Sequence, residues 1–220
     1  MIRALFFDLD GTLLDRAGAH RRYCLDLIAR RPDAFAAGQG GVDLDRLVAG
    51  ADAPGWDRRA FARRAASAFP ALGLSAAEIA RDHSARLASF IEPDPAVSGL
   101  LGDLAGRYRV AIVTDGAGPV QRAKLGRLGL GAAIPRAFVS GEIGSAKPDP
   151  APFLAALAWA GCLPSEALFV GDDPARDIAG ASNVGMATCW VSAGRPYPPG
   201  FPTPGRTVQS VADLAAELAS

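Results

Sequence analysis

Short apolar runs alternate with stretches of helical periodicity along most of this chain. The run Val110-Ala111-Ile112-Val113 is apolar without interruption, which is typical of a strand buried on both faces. Similar runs predict strands at residues 2–8, 108–113, 137–139, 167–170 and 187–191. Helical patterns predict helices near residues 96–106, 119–129, 150–161, 174–184 and 210–219. This alternation predicts an α/β fold with a doubly wound parallel sheet covered by helices on both faces.

Residues 15–92 interrupt the alternation, because they show helical spacing and no convincing strand. Asp57 is a plausible N-cap for a helix that begins after it. Ser75 and Glu78 match the capping-box pattern that opens a further helix. The apolar positions with helical spacing are Tyr23, Cys24, Leu27, Ile28, Phe61, Ala65, Ala68 and Phe69.

The helical segment is bounded by a stiff proline-rich hinge at residues 92–95. We therefore predict a core domain of residues 1–14 and 93–220 and an all-helical domain of residues 15–92. The glycine-rich stretch at 38–41 predicts a loop. The proline-rich stretch at 195–205 also predicts a loop rather than a linker, since only a short helix follows it.

Composition limits the classes of partner. The chain has 220 residues, of which 50% are hydrophobic, enough for a well-buried core. Lys+Arg and Asp+Glu are equal at 23 each, so no overall field favours a nucleic-acid polymer or an anionic membrane. No apolar run reaches the ~20 residues needed to span a bilayer. The 3 cysteines form no metal-ligand pattern, so we expect free thiols in a reducing compartment, the cytoplasm. We also expect a monomer or a homodimer.

Polar residues follow the predicted strands. Asp8 and Asp10 come after the first strand, Thr114 after the second and Asp172 after the fourth. The carboxyl ends of parallel strands meet at one edge of a sheet, where ligands bind. Carboxylates suit Mg²⁺, and an ammonium such as that of Lys147 suits a phosphoryl group. Asp115, Gly116, Asp173 and Asp177 lie close to these strand ends as well.

Four motifs, in this order, resemble those of the haloacid dehalogenase-like hydrolase superfamily. They are Asp8-Leu9-Asp10-Gly11-Thr12, Thr114, Lys147-Pro148 and Gly171-Asp172-Asp173-Pro174-Ala175-Arg176-Asp177. The resemblance covers the whole chain and implies a Rossmann-like core with a helical cap at residues 15–92. It also implies the phosphatase branch, since the dehalogenases lack the second aspartate of the first motif, which is Asp10 here.

The resemblance implies a role for each acidic residue. Asp8 would be the nucleophile that forms an aspartyl-phosphate, and also a ligand of Mg²⁺. Asp10 would protonate the leaving oxygen and then activate water, while its backbone carbonyl contacts the metal. Asp172 would be a further metal ligand. Asp173 and Asp177 would bind the metal through water or orient its direct ligands.

The resemblance also implies a phosphate-binding set. Thr114 would donate a hydrogen bond to a phosphoryl oxygen, together with the backbone N–H groups of Asp115 and Gly116. Lys147 would neutralise both Asp8 and the transferring group. Asp115 stands where relatives often have asparagine, and its side chain would repel the phosphate if it faced it.

Taken together, these features predict a Mg²⁺-dependent hydrolase of a small soluble phosphomonoester. Residues 172–191 resemble the branch of the pyrimidine 5′-nucleotidases, which favours a nucleoside 5′-monophosphate; phosphoglycolate or a sugar-acid phosphate is the alternative. A phospho-acceptor signalling module is an alternative of another class, but receiver domains lack a helical insertion after the first strand. A catalytically silent binding protein is a third, against which the joint presence of Asp8, Asp10, Lys147 and Asp172 argues.

Within the helical segment, His20, Arg21 and Arg22 are predicted to precede a helix, either exposed to solvent or facing a substrate cleft. Trp56 either stacks on a base or packs in the interior. His83 has helical spacing with Ile79 and Leu87, which favours a core position over a catalytic one.

Overall fold

A computed structural model describes residues 1–35, 40–51, 56–130, 134 and 136–219. The chain divides into two compact units, one of Met1–Leu14 with Pro93–Ser220 and one of Asp15–Glu92. We refer to them as the core unit and the helical unit. Of the predicted loop at 38–41, residues 38 and 39 lie outside the described residues, whereas residues 40 and 41 begin a helix.

A six-stranded parallel sheet forms the centre of the core unit. Its strands are β1 Ala4–Phe7, β2 Arg109–Thr114, β3 Ala137–Val139, β4 Ala167–Gly171, β5 Ala187–Val191 and β6 Arg206–Val208. Their spatial order is β3-β2-β1-β4-β5-β6, and every neighbouring pair is parallel. The predicted doubly wound α/β fold is confirmed. The direction of winding reverses beside β1, which places the topological switch point there.

Burial explains why the central strands were visible in the sequence. All residues of β1 and β4 are buried, and β2 is buried from Val110 to Thr114. Strands covered on both faces need a continuous apolar run, and this is the pattern the sequence carries. The edge strand β6 was not predicted, because it has only three residues and just one of them, Val208, is buried.

The helices fall into two sets, one in each unit. The helical unit contains α1 Arg16–Arg30, α2 Gly40–Val48, α3 Arg58–Ala68 and α4 Ala76–Arg86. The core unit contains α5 Pro95–Ala105, α6 Gly118–Leu128, α7 Ser140–Ile143, α8 Pro150–Ala160, α9 Ala179–Asn183 and α10 Leu214–Ala219. Among the described residues, no helix is both long and apolar enough to cross a membrane.

Local sequence sets several helix starts. Asp94 and Asp149 accept hydrogen bonds from backbone N–H groups two residues on, and a proline follows each at the first helical position. The capping box of Ser75 and Glu78 is confirmed. The helix predicted at 174–184 is not continuous: a wide π-type turn at Pro174–Ile178 precedes α9.

Aromatic and histidine side chains fill the interior of the helical unit. His20, Arg21 and Arg22 lie inside α1, so the prediction that they precede a helix is wrong. His20 is 1% exposed, which excludes a solvated position for its side chain. The core position predicted for His83 is confirmed, since it is also 1% exposed and its Nε2 lies 3.1 Å from His20 Nδ1. The ring of Trp56 packs edge-on against that of His20, which favours the packing alternative for Trp56.

Candidate active site

Three adjacent strands deliver reactive side chains to one edge of the sheet. Asp8 directly follows β1, and its N–H donates to the carbonyl of Val170 at 2.9 Å, which extends the pairing with β4 by one residue. Thr114 is the last residue of β2, and Asp172 comes directly after β4. Since β1 lies between β2 and β4, the three residues are neighbours at the switch point.

Lys147 organises the buried part of the site. Its Nζ donates to Asp8 Oδ1 at 2.6 Å, to Asp177 Oδ1 at 2.7 Å and to the carbonyl of Val113 at 3.0 Å. These three acceptors match the three N–H donors of an ammonium. The side chain is 2% exposed, and the ammonium lies 5.3 Å from the ring centroid of Phe169. Lys147 is therefore a fixed cation in a largely dry environment.

Burial and opposite charge compete in setting the protonation of this cluster. Burial raises the pKa of Asp8 above its ordinary value; Lys147 lowers it and Asp177 raises it again, so the net shift is upward. Burial also raises the pKa of Asp177, with Lys147 opposing it. For Lys147, burial lowers the pKa, but the carboxylates of Asp177 and Asp8 outweigh this and raise it. Additional positive charge at the site would favour both carboxylates in ionised form.

The residues that could hold a metal ion form one acidic cluster. Asp8, Asp172 and Asp177 each present a carboxylate oxygen, and these oxygens all lie within 4.8 Å of one another. The prediction gave Asp177 only an indirect contact with a metal, whereas the structure brings its carboxylate into the same cluster. Gly11 leaves room for the Asp172 carboxylate. The φ of Gly11 is +92°, and a Cβ at this position would lie 2.7 Å from Asp172 Oδ2.

Asp172 is held in place from the C-terminal part of the core unit. Trp190 Nε1 donates to the Asp172 carbonyl at 3.0 Å, and Arg195 Nη2 lies 3.3 Å from both that carbonyl and Asp172 Oδ2. Neither contact was predicted. Arg195 stands at the start of a proline-rich stretch, where no periodicity indicates which way a side chain points.

Asp10 contacts two residues of α6 that were also not predicted. Lys124 Nζ lies 2.6 and 2.7 Å from the two carboxylate oxygens of Asp10. Gln121 Nε2 donates to Asp10 Oδ2 at 2.9 Å. A signal was available in the sequence: Gln121 and Lys124 have the helical spacing of the buried residue Leu128, so both lie on the buried face of α6.

The predicted phosphate-binding residues are brought together around the end of β2. Thr114 is 1% exposed, and its Oγ1 accepts from Gln121 Nε2 at 2.6 Å. The Gly116 N–H donates to Ser140 Oγ at 2.9 Å, which competes with the contact predicted between this N–H and a phosphoryl oxygen. Asp115 Oδ1 accepts from the Lys147 backbone N–H at 3.1 Å, so its side chain anchors the loop that carries Lys147.

Asp173 has a local structural contact. Its Oδ1 accepts from the backbone N–H groups of Ala175 and Arg176 at 2.9 and 3.1 Å, so it caps the wide turn that begins at Pro174. Its own N–H donates to Asp177 Oδ2 at 3.0 Å. Asp173 thus orients Asp177 through the backbone.

Comparison with known proteins identifies the family. The model of the haloacid dehalogenase-like hydrolase family matches residues 2–185. The chain belongs to this family, and the family resemblance of its motifs is confirmed.

Individual relatives resemble the chain to different extents. The pyrimidine 5′-nucleotidase YjjG of Escherichia coli is 36% identical over 129 residues, which cover 58% of this chain and 57% of that protein. The chain thus matches only about half the length of this relative. The N-acylneuraminate-9-phosphatase of Mus musculus is 28% identical over 100% of this chain and 94% of its own length.

The fold also matches a solved structure over its whole length. The HAD-hydrolase YfnB of Bacillus subtilis, bound to magnesium, has a TM-score of 0.79 and 21% identity, with 100% of this chain and 99% of that chain covered. At this identity the match supports the fold alone.

Proposed function

We propose that this protein is a Mg²⁺-dependent phosphomonoester hydrolase that works through an aspartyl-phosphate at Asp8. One observation carries the proposal: the Asp8 carboxylate is held by the buried ammonium of Lys147 in the same cluster as Asp172 and Asp177. A carboxylate with one fixed counter-ion and one all-oxygen cluster beside it suits nucleophilic attack on a phosphoryl group.

The donor set fits magnesium. Carboxylate and carbonyl oxygens are the ligands that this hard ion prefers, and no sulfur or imidazole ligand lies within this cluster of described residues. We assign the carboxylates of Asp8 and Asp172 and the backbone carbonyl of Asp10 as its ligands, with Asp177 beside them. When bound, the ion supplies positive charge that neutralises the phosphoryl oxygens.

The reaction then has two displacements at phosphorus. A carboxylate oxygen of Asp8 forms a bond to phosphorus while the bond to the leaving oxygen breaks, and Asp10 gives that oxygen a proton. In the second step Asp10 takes a proton from water, the water oxygen bonds to phosphorus, and Asp8 is released with inorganic phosphate. Lys147 stabilises the charge, and the Thr114 hydroxyl donates to a phosphoryl oxygen.

The substrate is a small soluble phosphate, and we propose a nucleoside 5′-monophosphate. The 36% identity with a pyrimidine 5′-nucleotidase supports this choice. A phosphorylated sugar acid is the second candidate, because the full-length alignment is with an N-acylneuraminate-9-phosphatase. We further propose that residues 15–92 act as a cap whose side chains select the substrate. Caps of this kind close over a bound substrate and shield the reaction from water. Turnover measured over a panel of nucleotides, sugar phosphates and phosphoglycolate distinguishes these candidates.

Substitution of the nucleophile tests the reaction class. We expect Asp8→Asn to reduce hydrolysis of 4-nitrophenyl phosphate to background, because an amide cannot replace the attacking carboxylate. The matched control is Asp94→Asn, since Asp94 is an exposed helix cap in the same unit and asparagine also caps helices. Wild-type turnover by the Asp8→Asn protein would disprove the assignment.

Removal of the metal tests the cofactor. We expect EDTA to abolish turnover and added Mg²⁺ to restore it, because the proposed ion neutralises the phosphoryl oxygens of the substrate. A rate that is indifferent to both additions would exclude the proposed metal site.

A further inference from the structure

A side-chain network connects the proposed acid–base residue with the proposed phosphate-binding residue. Gln121 and Lys124, which we call the Asp10 clamp, project from α6 toward the ends of β1 and β2. Their contacts are Lys124 Nζ to both oxygens of Asp10, and Gln121 Nε2 to Asp10 Oδ2 and Thr114 Oγ1.

The chemistry of an amide determines how Gln121 is oriented. An ionised carboxylate only accepts hydrogen bonds, so Gln121 must present its NH₂ group to Asp10 when Asp10 is ionised. That group has two hydrogens: one serves Asp10 Oδ2, and the other serves Thr114 Oγ1. Because the Thr114 hydroxyl oxygen accepts this bond, its own hydrogen is directed elsewhere, as a hydroxyl that donates to a phosphoryl oxygen requires.

The clamp is built into the interior of the core unit. Gln121 is 1% exposed and Lys124 is 6% exposed. Gly116 accommodates Gln121: its φ is +142°, and a Cβ at this position would lie 3.1–3.3 Å from atoms of the Gln121 side chain. A buried amide and a buried ammonium are costly unless they are paired, so this arrangement is fixed by its own contacts.

Lys124 provides a point charge that touches both carboxylate oxygens of Asp10. It therefore holds the position of the carboxylate against rotation about its last bond. Proton transfer depends steeply on such placement, since a displacement of about 1 Å can cost roughly 10²-fold in rate.

We infer that Gln121 and Lys124 are positioning residues for the proposed hydrolysis. They fix the position of the Asp10 carboxyl for proton transfer, and Gln121 also directs the hydrogen of the Thr114 hydroxyl away from itself, so that it can be donated to a phosphoryl oxygen. This inference rests on the proposed function. It adds two side chains of α6 to the proposed site.

The leaving group separates this role from a purely structural one. A 4-nitrophenolate leaves without protonation, whereas the alkoxide of ethyl phosphate needs a proton from Asp10. We expect Gln121→Met and Lys124→Met to lower kcat/KM for ethyl phosphate about 100-fold, a loss typical of general acid catalysis. For 4-nitrophenyl phosphate we expect a loss of about fivefold or less, since only orientation of the phosphate is impaired.

Two controls accompany these variants. Arg122→Met removes a cation from an exposed position on the same helix, where Arg122 pairs with Glu142, and should not change the ratio of the two kcat/KM values. Lys124→Arg should keep the ratio near that of the wild type, because a guanidinium also contacts both oxygens of a carboxylate. If either methionine variant is unfolded by circular dichroism, Lys124→Gln and Gln121→Asn replace it in the comparison.

The outcomes separate this inference from the proposed function. A wild-type protein that hydrolyses neither ester contradicts the proposed function itself. A wild-type protein that hydrolyses both, with variants that lose both equally or lose neither, overturns the positioning role while the proposed function stands.

Discussion

Lys147 holds two carboxylates in the interior that would otherwise repel each other. Because all three of its donors are used, its removal leaves Asp8 and Asp177 buried without their counter-ion. The same side chain therefore contributes to stability and, in the proposed mechanism, to catalysis.

We expect Lys147→Met to abolish turnover and to lower the free energy of unfolding by about 3–5 kcal/mol, the usual cost of breaking a buried ion pair from one side. Urea unfolding followed by circular dichroism measures the second effect. The double variant Lys147→Met/Asp177→Asn removes one of the stranded charges, so it should regain part of the stability and none of the activity. A single variant as stable as the wild type would contradict the buried ion cluster.

The sequence indicated some site residues and not others, for physical reasons. Asp8 and Asp172 come directly after buried strands, so a one-dimensional pattern locates them at one edge of the sheet. Gln121 and Arg195 reach the site from a helix and from an irregular stretch, and only the folded chain shows which way they point. The side chain of Asp115 was likewise undecided until the fold showed its bond to the Lys147 backbone.

At the scale of elements, α1 and α4 pack through a buried histidine pair. Burial lowers the pKa of His20 to about 4, and the nearby cations Arg16 and Arg64 lower it further, against the hydrogen bond to the Leu47 carbonyl. In the unfolded chain the imidazole of His20 has its ordinary pKa of 6.5. As the pH falls below 6.5, His20 becomes protonated in the unfolded chain but stays neutral in the folded unit down to about pH 4. Protonation therefore stabilises the unfolded chain, and the free energy of unfolding falls.

We expect this histidine to destabilise the helical unit by about 2 kcal/mol between pH 7 and pH 5. Hydrogen exchange of the amides of α1 and α4, corrected for intrinsic rates, measures the effect. His20→Gln is the control, because glutamine does not titrate and should show a smaller change over the same interval. Equal losses in both proteins would assign the pH dependence to other groups.

Element boundaries were predictable where capping chemistry marks them. Asp94 and Asp149 precede prolines that begin α5 and α8, and the sequence shows both features. The break at Pro174–Ile178 was not predictable, because the residues that follow Asp173 have ordinary helical spacing. That wide turn puts Asp177 beside Lys147, which depends on tertiary contacts rather than on periodicity.

At the scale of the whole molecule, the chemistry and its selectivity have different origins. The proposed reaction needs a few groups at fixed strand ends of the core unit, so the fold class and family could be read from the sequence. In the proposal, substrate selectivity depends on residues 15–92, and their sequence contains no motif that identifies a particular ligand. The physiological phosphate is therefore a matter for the substrate panel.

Trapping the covalent intermediate tests the central claim most directly. The enzyme is mixed with a phosphoester and the reaction is quenched in acid within the first turnover. We expect Asp8 of the quenched protein to carry a phosphoryl group. Borohydride reduction converts an acyl phosphate to an alcohol, so peptide mass spectrometry should then find homoserine at position 8, and none in the Asp8→Asn protein. A phospho-acceptor module would show the same label at Asp8 but would retain it over many minutes without steady-state release of phosphate. Rapid steady-state turnover with no label at Asp8 would contradict the account.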